Sequence, residues 1–270
     1  MIPLNFGLLW SANTKMSYLR YLTLKTLRYF HPHSRIMLYI ASSYKKIKSG
    51  NIGDQEYRNS EGITKDYIGE LEKIGVEIIP LRLFGDMEPN FISDMFRYWY
   101  LKQYSGYYLD TDQIILRSFH TLPLKRHHKF VYSDYDVVSK FAWDNHFCPV
   151  GVLGAMKDSK ILRYVSEHIM DYYNADDYSS IGPLMMYNVL QKVDKTEAFN
   201  APSCYFYPAP ICDYMKKVFS GDLMLTKDNY ALHWYGGYCE SQKFNKAFTE
   251  KFARKSNDTI SRFLREKKII

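Results

Sequence analysis

The chain has 270 residues, 46% of them hydrophobic, which is enough for one large domain with a sizeable core. Lys and Arg outnumber Asp and Glu to give a formal net charge of +7, but they are spread along the chain without any nucleic-acid-binding pattern. The four cysteines, Cys148, Cys204, Cys212 and Cys239, lack Cys-x-x-Cys spacing, so the sequence offers no zinc site and no disulfide framework, and no apolar run reaches the length of a membrane span.

Residues 4–10 predict a buried first strand; the basic region and cleavage site of a signal peptide are missing there. Residues 17–30 predict a helix, with Leu19, Leu22, Leu24, Leu27 and Phe30 largely on a helical period. His31-Pro32 stops it, because the residue before proline avoids helix. Residues 35–41 are a second buried strand, and strand–helix–strand at this spacing is a βαβ unit of a parallel sheet. A polar loop with a short helix is expected over 42–62, a helix over 65–74 ending at Gly75, and a third strand over 76–80.

The most informative stretch is 93–119. Ser93 suits an N-cap and Asp94 suits the positive end of a helix dipole. Met95, Phe96, Tyr98, Trp99, Leu101 and Tyr104 bury such a helix on most sides. Asp94 and Arg97, three apart, share one face. Gly106 suits the left-handed position after the helix, and Tyr107, Tyr108 and Leu109 lead into a strand that leaves through Ile114, Ile115 and Leu116. Between them lies Asp110-Thr111-Asp112. One reading is a polar turn, since aspartates bond their own backbone in turns. The other is a working pair: carboxylates two apart in an extended chain point to one side and repel, and a divalent cation relieves that repulsion.

Beyond it, a strand over 129–135, an apolar run over 149–156 and a helix over 159–173 are expected. Gly182-Pro183 opens another helix, with proline at a permitted first-turn position. Phe206-Tyr207-Pro208 reads as extended, and His233-Trp234-Tyr235-Gly236-Gly237 closes the folded part, with an exposed basic helix or tail after it. The domain division expected is 1–250 for the main domain and 251–270 for that tail.

Ser93-Asp94-x-x-Arg97-Tyr98, a Tyr/Gly-rich turn and Tyr108-Leu109-Asp110-x-Asp112 together resemble the DXD sugar-binding region of family 32 glycosyltransferases and their relatives, including yeast Golgi mannosyltransferases, capsule enzymes and clostridial toxin glucosyltransferase domains. The resemblance implies an α/β fold of GT-A type, Rossmann-like, with a mostly parallel central sheet flanked by helices. It also implies Asp110 and Asp112 as metal ligands with His233 joining them, and Arg97 acting with the two aspartates in catalysis. Trp10, Asp94, Arg97, Tyr108, Asp110, Asp144 and Asn145 would line the donor pocket, Trp10 by stacking on the base. A core role for Trp10 and turn chemistry for Asp144 and Asn145 are the plainer readings of the same residues.

The activity implied by the resemblance is that of a metal-dependent glycosyltransferase using Mn²⁺ or Mg²⁺, a nucleotide-sugar donor (UDP favoured, GDP possible) and a glycan acceptor, with retention of configuration. Hard carboxylate oxygens suit those ions better than zinc. The high aromatic content, 17%, suits sugar rings and bases, though composition does not decide that point. No nucleic-acid partner or membrane span is expected; a cytoplasmic setting is. The competing readings are a sugar-nucleotide hydrolase or nucleotidyltransferase using the same metal pair, and a catalytically silent carbohydrate-binding scaffold.

Overall fold

A computed structural model describes residues 1–12, 14–41, 62–82, 87–134, 147–209 and 213–270. In chain order the N-terminal part runs β1 (Phe6–Ser11), α1 (Tyr18–Phe30), β2 (Ile36–Ala41), α2 (Ile68–Leu71), β3 (Glu77–Leu81), α3 (Pro89–Tyr104), β4 (Gly106–Leu109) and β5 (Gln113–Ile115). The middle part holds β6 (Phe130–Ser133), β7 (Val152–Ala155), α4 (Lys160–His168), α5 (Pro183–Lys192), β8 (Ala198–Ala201) and α6 (Ser203–Phe206). The last part holds α7 (Asp213–Ser220), β9 (Ala231–His233), α8 (Cys239–Ala247), α9 (Glu250–Lys255) and α10 (Thr259–Glu266). The loop expected over 42–62 lies almost wholly outside the described residues, as do Asp144 and Asn145.

Seven strands form one sheet in the order β3-β2-β1-β4-β7-β6-β8. Four neighbouring pairs are parallel, and only those of β7 with β4 and β6 are antiparallel. The chain builds outward from β1 to β3, then returns through α3 to place β4 on the other side of β1. Such a reversal opens a crevice at the carboxyl ends of the strands, where α/β sheets bind ligands. Two-residue alternation assigns the faces: Phe6, Leu8, Trp10, Ile36, Leu38, Tyr107 and Leu109 pack with the leucines of α1, whereas Met37, Tyr39, Tyr108, Phe130 and Leu153 pack with Phe91 and Phe96 of α3. Gly7 faces α3, where the Tyr100 ring lies so close that an added Cβ would meet it at 2.5 Å.

Capping at α1 matches expectation: the Ser17 hydroxyl accepts from the Arg20 N–H, and His31 ends the helix. α3 starts earlier than Ser93. Pro89 takes its first turn and Glu88 the cap position, so Ser93 and Asp94 sit inside the helix, away from the dipole end. Proline at the first helical position loses no hydrogen bond and carries the fitting φ; Phe91 and Ile92, both buried, then extend the apolar face by a turn. Ser105 and Gly106 both take positive φ where α3 turns into β4, and a Cβ on Gly106 would run into the Asn5 carbonyl. Phe206, expected in an extended piece, ends the one-turn helix α6. The stretch 110–116 is not one strand with β4: β5 leaves the main sheet and pairs antiparallel with β9.

Residues 251–270 are basic but not a free tail. Ala253, Ile260, Phe263 and Leu264 are buried in the core on the α1 side, and the Arg265 guanidinium donates to the carbonyls of Ala253 and Ser256. Among the described residues no helix is long and apolar enough to cross a membrane.

Candidate active site

The alternation of β4 continues into the turn after it and sorts its side chains. Tyr108 and Asp110 point toward α3, while Tyr107, Leu109 and Thr111 point toward α1. Thr111 is buried and held twice from α1: Arg20 Nη1 donates to its hydroxyl at 2.6 Å, and the Thr23 hydroxyl donates to its carbonyl at 2.6 Å. One turn further along α1, the Thr26 hydroxyl accepts from the Ile115 N–H at 3.0 Å. Arg20 itself lies between two indoles, 5.2 Å from the Trp10 ring centroid and 4.9 Å from that of Trp234. The polar turn and the paired carboxylates are therefore the same object: a turn fixed through its middle residue, with an aspartate at each end.

Asp112 meets the C-terminal part of the chain. Its Oδ1 is 2.9 Å from His233 Nε2, its Oδ2 accepts from the Gly236 N–H at 2.7 Å, and its carbonyl accepts from the Trp234 N–H at 2.9 Å. Tyr235 takes a left-handed φ of 45° in that wrap, and its ring lies 4.2 Å from the His233 ring. Burial alone would raise the Asp112 pKa, but His233, Arg20 and the Gly236 N–H outweigh it and hold the carboxyl well below the usual range. Asp112 is a fixed anion.

On the α3 side, Tyr108 Oη donates to Asp110 Oδ1 at 2.5 Å and sits 3.0 Å from the Ser93 hydroxyl. Burial and then the Asp110 charge push the Tyr108 phenol well above its ordinary pKa, which keeps it a donor. Arg97 Nη2 lies 2.9 Å from Asp94 Oδ1 and 3.8 Å from Asp110 Oδ1, while Nη1 donates to the Val150 carbonyl at 2.8 Å. This guanidinium ties the two aspartates together from within the protein; burial would lower its pKa, but Tyr108, Asp94 and Asp110 hold it firmly charged. Burial drives Asp94 the other way, up to about 7, with Arg97 opposing and Asp110 adding to the rise. Gly182, just before α5, lies so near that a Cβ there would sit 2.6 Å from Asp94 Oδ2.

One oxygen or nitrogen from each of Asp110, Asp112 and His233 lies within 4.8 Å of the others. Gly151 forms the ground beneath them: its carbonyl accepts from the Asp110 N–H at 2.8 Å, and a Cβ on it would come 2.8 Å from Asp110 Oδ2 and 3.3 Å from His233 Cε1. His233 Nδ1 is buried with no hydrogen-bond partner among the described residues. Two carboxylates and an imidazole are a hard-to-borderline donor set, so the residues fit a divalent cation.

Of the residues singled out from sequence, Asp110, Asp112 and His233 thus converge, with Asp94, Arg97 and Tyr108 adjoining them. Trp10 is behind the turn, 3% exposed, its Nε1 donating to the Thr14 carbonyl at 2.9 Å. Sequence reasoning passed over Arg20, Thr23 and Gly151. The signal for the first two was a pair of polar residues three apart among the Leu and Tyr of the first seven residues of α1.

Residues 20–130 match the family model described as the glycosyltransferase sugar-binding region containing DXD motif. No curated protein matches in sequence. Among solved structures, the PaToxG glycosyltransferase is similar at 17% identity and a TM-score of 0.50, over 72% of this chain and 71% of that one. The apo form of the glycosyltransferase GlyE of Streptococcus pneumoniae TIGR4 has 15% identity and a TM-score of 0.49, over 99% of this chain and 64% of its own. The galactosyltransferase LgtC, in complex with donor and acceptor sugar analogs, has 14% identity and a TM-score of 0.46, over 92% and 99%. At these identities the likeness to PaToxG bears on fold alone, and that fold is of GT-A type. The DXD turn thus stands at the carboxyl edge of a mostly parallel sheet, within the residues that match a glycosyltransferase sugar-binding region.

Proposed function

We propose that the chain moves a sugar from a nucleoside-diphosphate sugar, UDP in preference to GDP, to a hydroxyl of a glycan acceptor, with retention at the anomeric carbon and with Mn²⁺ or Mg²⁺ as the working ion. The observation that carries the proposal is the meeting of Asp110, Asp112 and His233, whose ligand atoms lie within 4.8 Å of one another at the carboxyl edge of the sheet. Asp110, Asp112 and His233 would hold the cation, and it would supply charge neutralisation for the diphosphate leaving group. The preference for UDP and the retention rest on the sequence resemblance.

The chain's own residues then divide the work. Asp112 contributes an oxygen kept anionic by His233, Arg20 and the Gly236 N–H. Tyr108 occupies one oxygen of Asp110 and so turns the other, Oδ2, toward the ground formed by Gly151. Asp94 accepts bonds from hydroxyls of the donor sugar. Arg97 balances Asp94 and Asp110 from behind and so limits the negative charge that a diphosphate meets on approach. As the glycosidic C–O bond breaks, its electrons leave with the diphosphate; the acceptor hydroxyl bonds to the anomeric carbon from the same face and passes its proton to the departing oxygen. Asp144 and Asn145 are assigned to the donor side. The burial of Trp10 gives its stacking role no support.

A panel of UDP- and GDP-sugars, each with Mn²⁺ or with chelator, tests this by release of free nucleoside diphosphate. Metal-dependent release from one UDP-sugar is expected, and an acceptor hydroxyl should accelerate it. Release of a nucleoside monophosphate would identify a nucleotide hydrolase instead. Absence of any release, together with no metal-dependent thermal shift, would leave a silent carbohydrate-binding protein.

A further inference from the structure

Gln113 stands first in β5, directly opposite His233 on β9. Residues directly opposite in an antiparallel pair project to the same face. Its side chain is wholly buried, at 0% exposure, and among the described residues neither its amide oxygen nor its amide nitrogen has a hydrogen-bond partner. Buried amides are almost always paired. Ile114 and Ile115, the next two residues of the strand, are equally buried, so the surroundings accept plain hydrocarbon. Something other than packing accounts for an amide here.

The glycine beneath the site shows where that amide faces. The position a Cβ on Gly151 would take lies 3.3 Å from Gln113 Nε2, 2.8 Å from Asp110 Oδ2 and 3.3 Å from His233 Cε1. Amide, carboxylate and imidazole therefore press on one point of β7's approach. The two ends of an unpartnered amide are interchangeable by a half-turn of its last bond, so its oxygen reaches the place its nitrogen holds. Neutral amide oxygens are good ligands for hard divalent cations, and groups in the second coordination layer commonly alter metal affinity by about 10–100-fold.

We propose that Gln113 is a fourth member of the cation site: its amide oxygen takes the divalent cation, directly or through one water, and ties the coordination shell to β5. This rests on the cation site proposed above. It gives the pairing of β5 with β9 a function, because that ladder sets Gln113 and His233 side by side.

The test is Mn²⁺ titration of the purified full chain without nucleotide, monitored by the electron paramagnetic resonance of free Mn²⁺, with thermal melting in chelator alongside. Gln113→Leu should weaken Mn²⁺ binding about tenfold and leave the metal-free Tm unchanged or higher, since it removes an unpaired amide. Gln113→Glu, which adds an anionic oxygen at the same reach, should tighten binding. If Gln113→Leu binds Mn²⁺ within about twofold of the parent chain, or, should the leucine variant not fold, if Gln113→Glu binds no tighter, the proposal is wrong while the three-ligand site stands. If the parent chain binds no Mn²⁺ at all, the cation site itself falls and this proposal with it.

Discussion

Asp112 and Asp94 are shut away from water to nearly the same degree, at 8% and 5% exposure, yet their carboxyls are driven in opposite directions. Asp112 is held far down and Asp94 is raised to about 7. Burial raises both, so it does not separate them; the company does. Asp112 has a backbone N–H and an imidazole on its oxygens and a guanidinium nearby. Asp94 has one guanidinium, and Arg97 is shared with Asp110, whose own charge works against Asp94. One carboxylate is thus surrounded by groups that keep it charged, while the other shares its single cation with a competing carboxylate.

The largest expected effect breaks the charged side. Asp112→Asn should lower kcat/KM at least about a thousandfold, because the proposed cation site loses an anionic ligand, with a Tm close to that of the parent chain. Parallel loss of Tm and activity would make Asp112 a structural residue. On the other side, Arg97→Met leaves Asp94 and Asp110 without their shared cation and should cost about 3–5 kcal/mol in urea denaturation. Asp94→Asn in the same chain should restore part of it. If the double variant is no more stable than the single one, the pairing of Asp94 with Arg97 is not what stabilises this side.

His31 supplies a reference far from either side. It is buried, its Nε2 accepts from the Phe119 N–H at 3.2 Å, and burial, with His120 and Arg28, lowers its pKa to about 4. The unfolded chain, with an ordinary histidine near 6.5, binds more protons in that window, so this contribution is intact above about pH 6.5 and is lost as pH falls toward 4. The loss should reach about 2 kcal/mol between pH 7 and 5 and disappear from the difference in His31→Gln. A parent chain and variant with identical pH profiles would contradict the assignment. The smallest effect sharpens the geometry: Gly151→Ala places a methyl 2.8 Å from Asp110 Oδ2 and should weaken Mn²⁺ binding about tenfold. Unchanged affinity would mean that the ligands do not depend on that close approach.

The first βαβ unit was legible because local signals agreed: leucines on a helical period, alternating strands and Pro32 as a stop. Asp110 and Asp112 were legible because two charges break an apolar run, and Asp94 with Arg97 because they share a helical face. Ser93 misled: its hydroxyl looks like a cap, but it is spent on Tyr108 and Arg97, partners that only the fold brings near. Arg20 and Thr23 had the pattern of a solvated stripe on α1, and only the turn packed against them gives them partners. In α10, the charges of Arg262, Arg265 and Glu266 masked Ile260, Phe263 and Leu264, which lie at core-facing spacing. The ladder of β5 with β9 is three residues long on each side, too short to announce itself.

That short ladder also has a consequence for how the protein comes into being. Asp112 and the Gly236 N–H that binds it are 124 positions apart, so the region carrying the DXD turn leaves the ribosome long before its partner strand. Contacts this distant in sequence form late, after the chain has met the entropy of closing the intervening loop. A nascent chain stalled before residue 231 would hold the turn against α1 yet lack the histidine and the wrap that complete it. The full set of Asp110, Asp112 and His233 would then come together in one step near the end of synthesis.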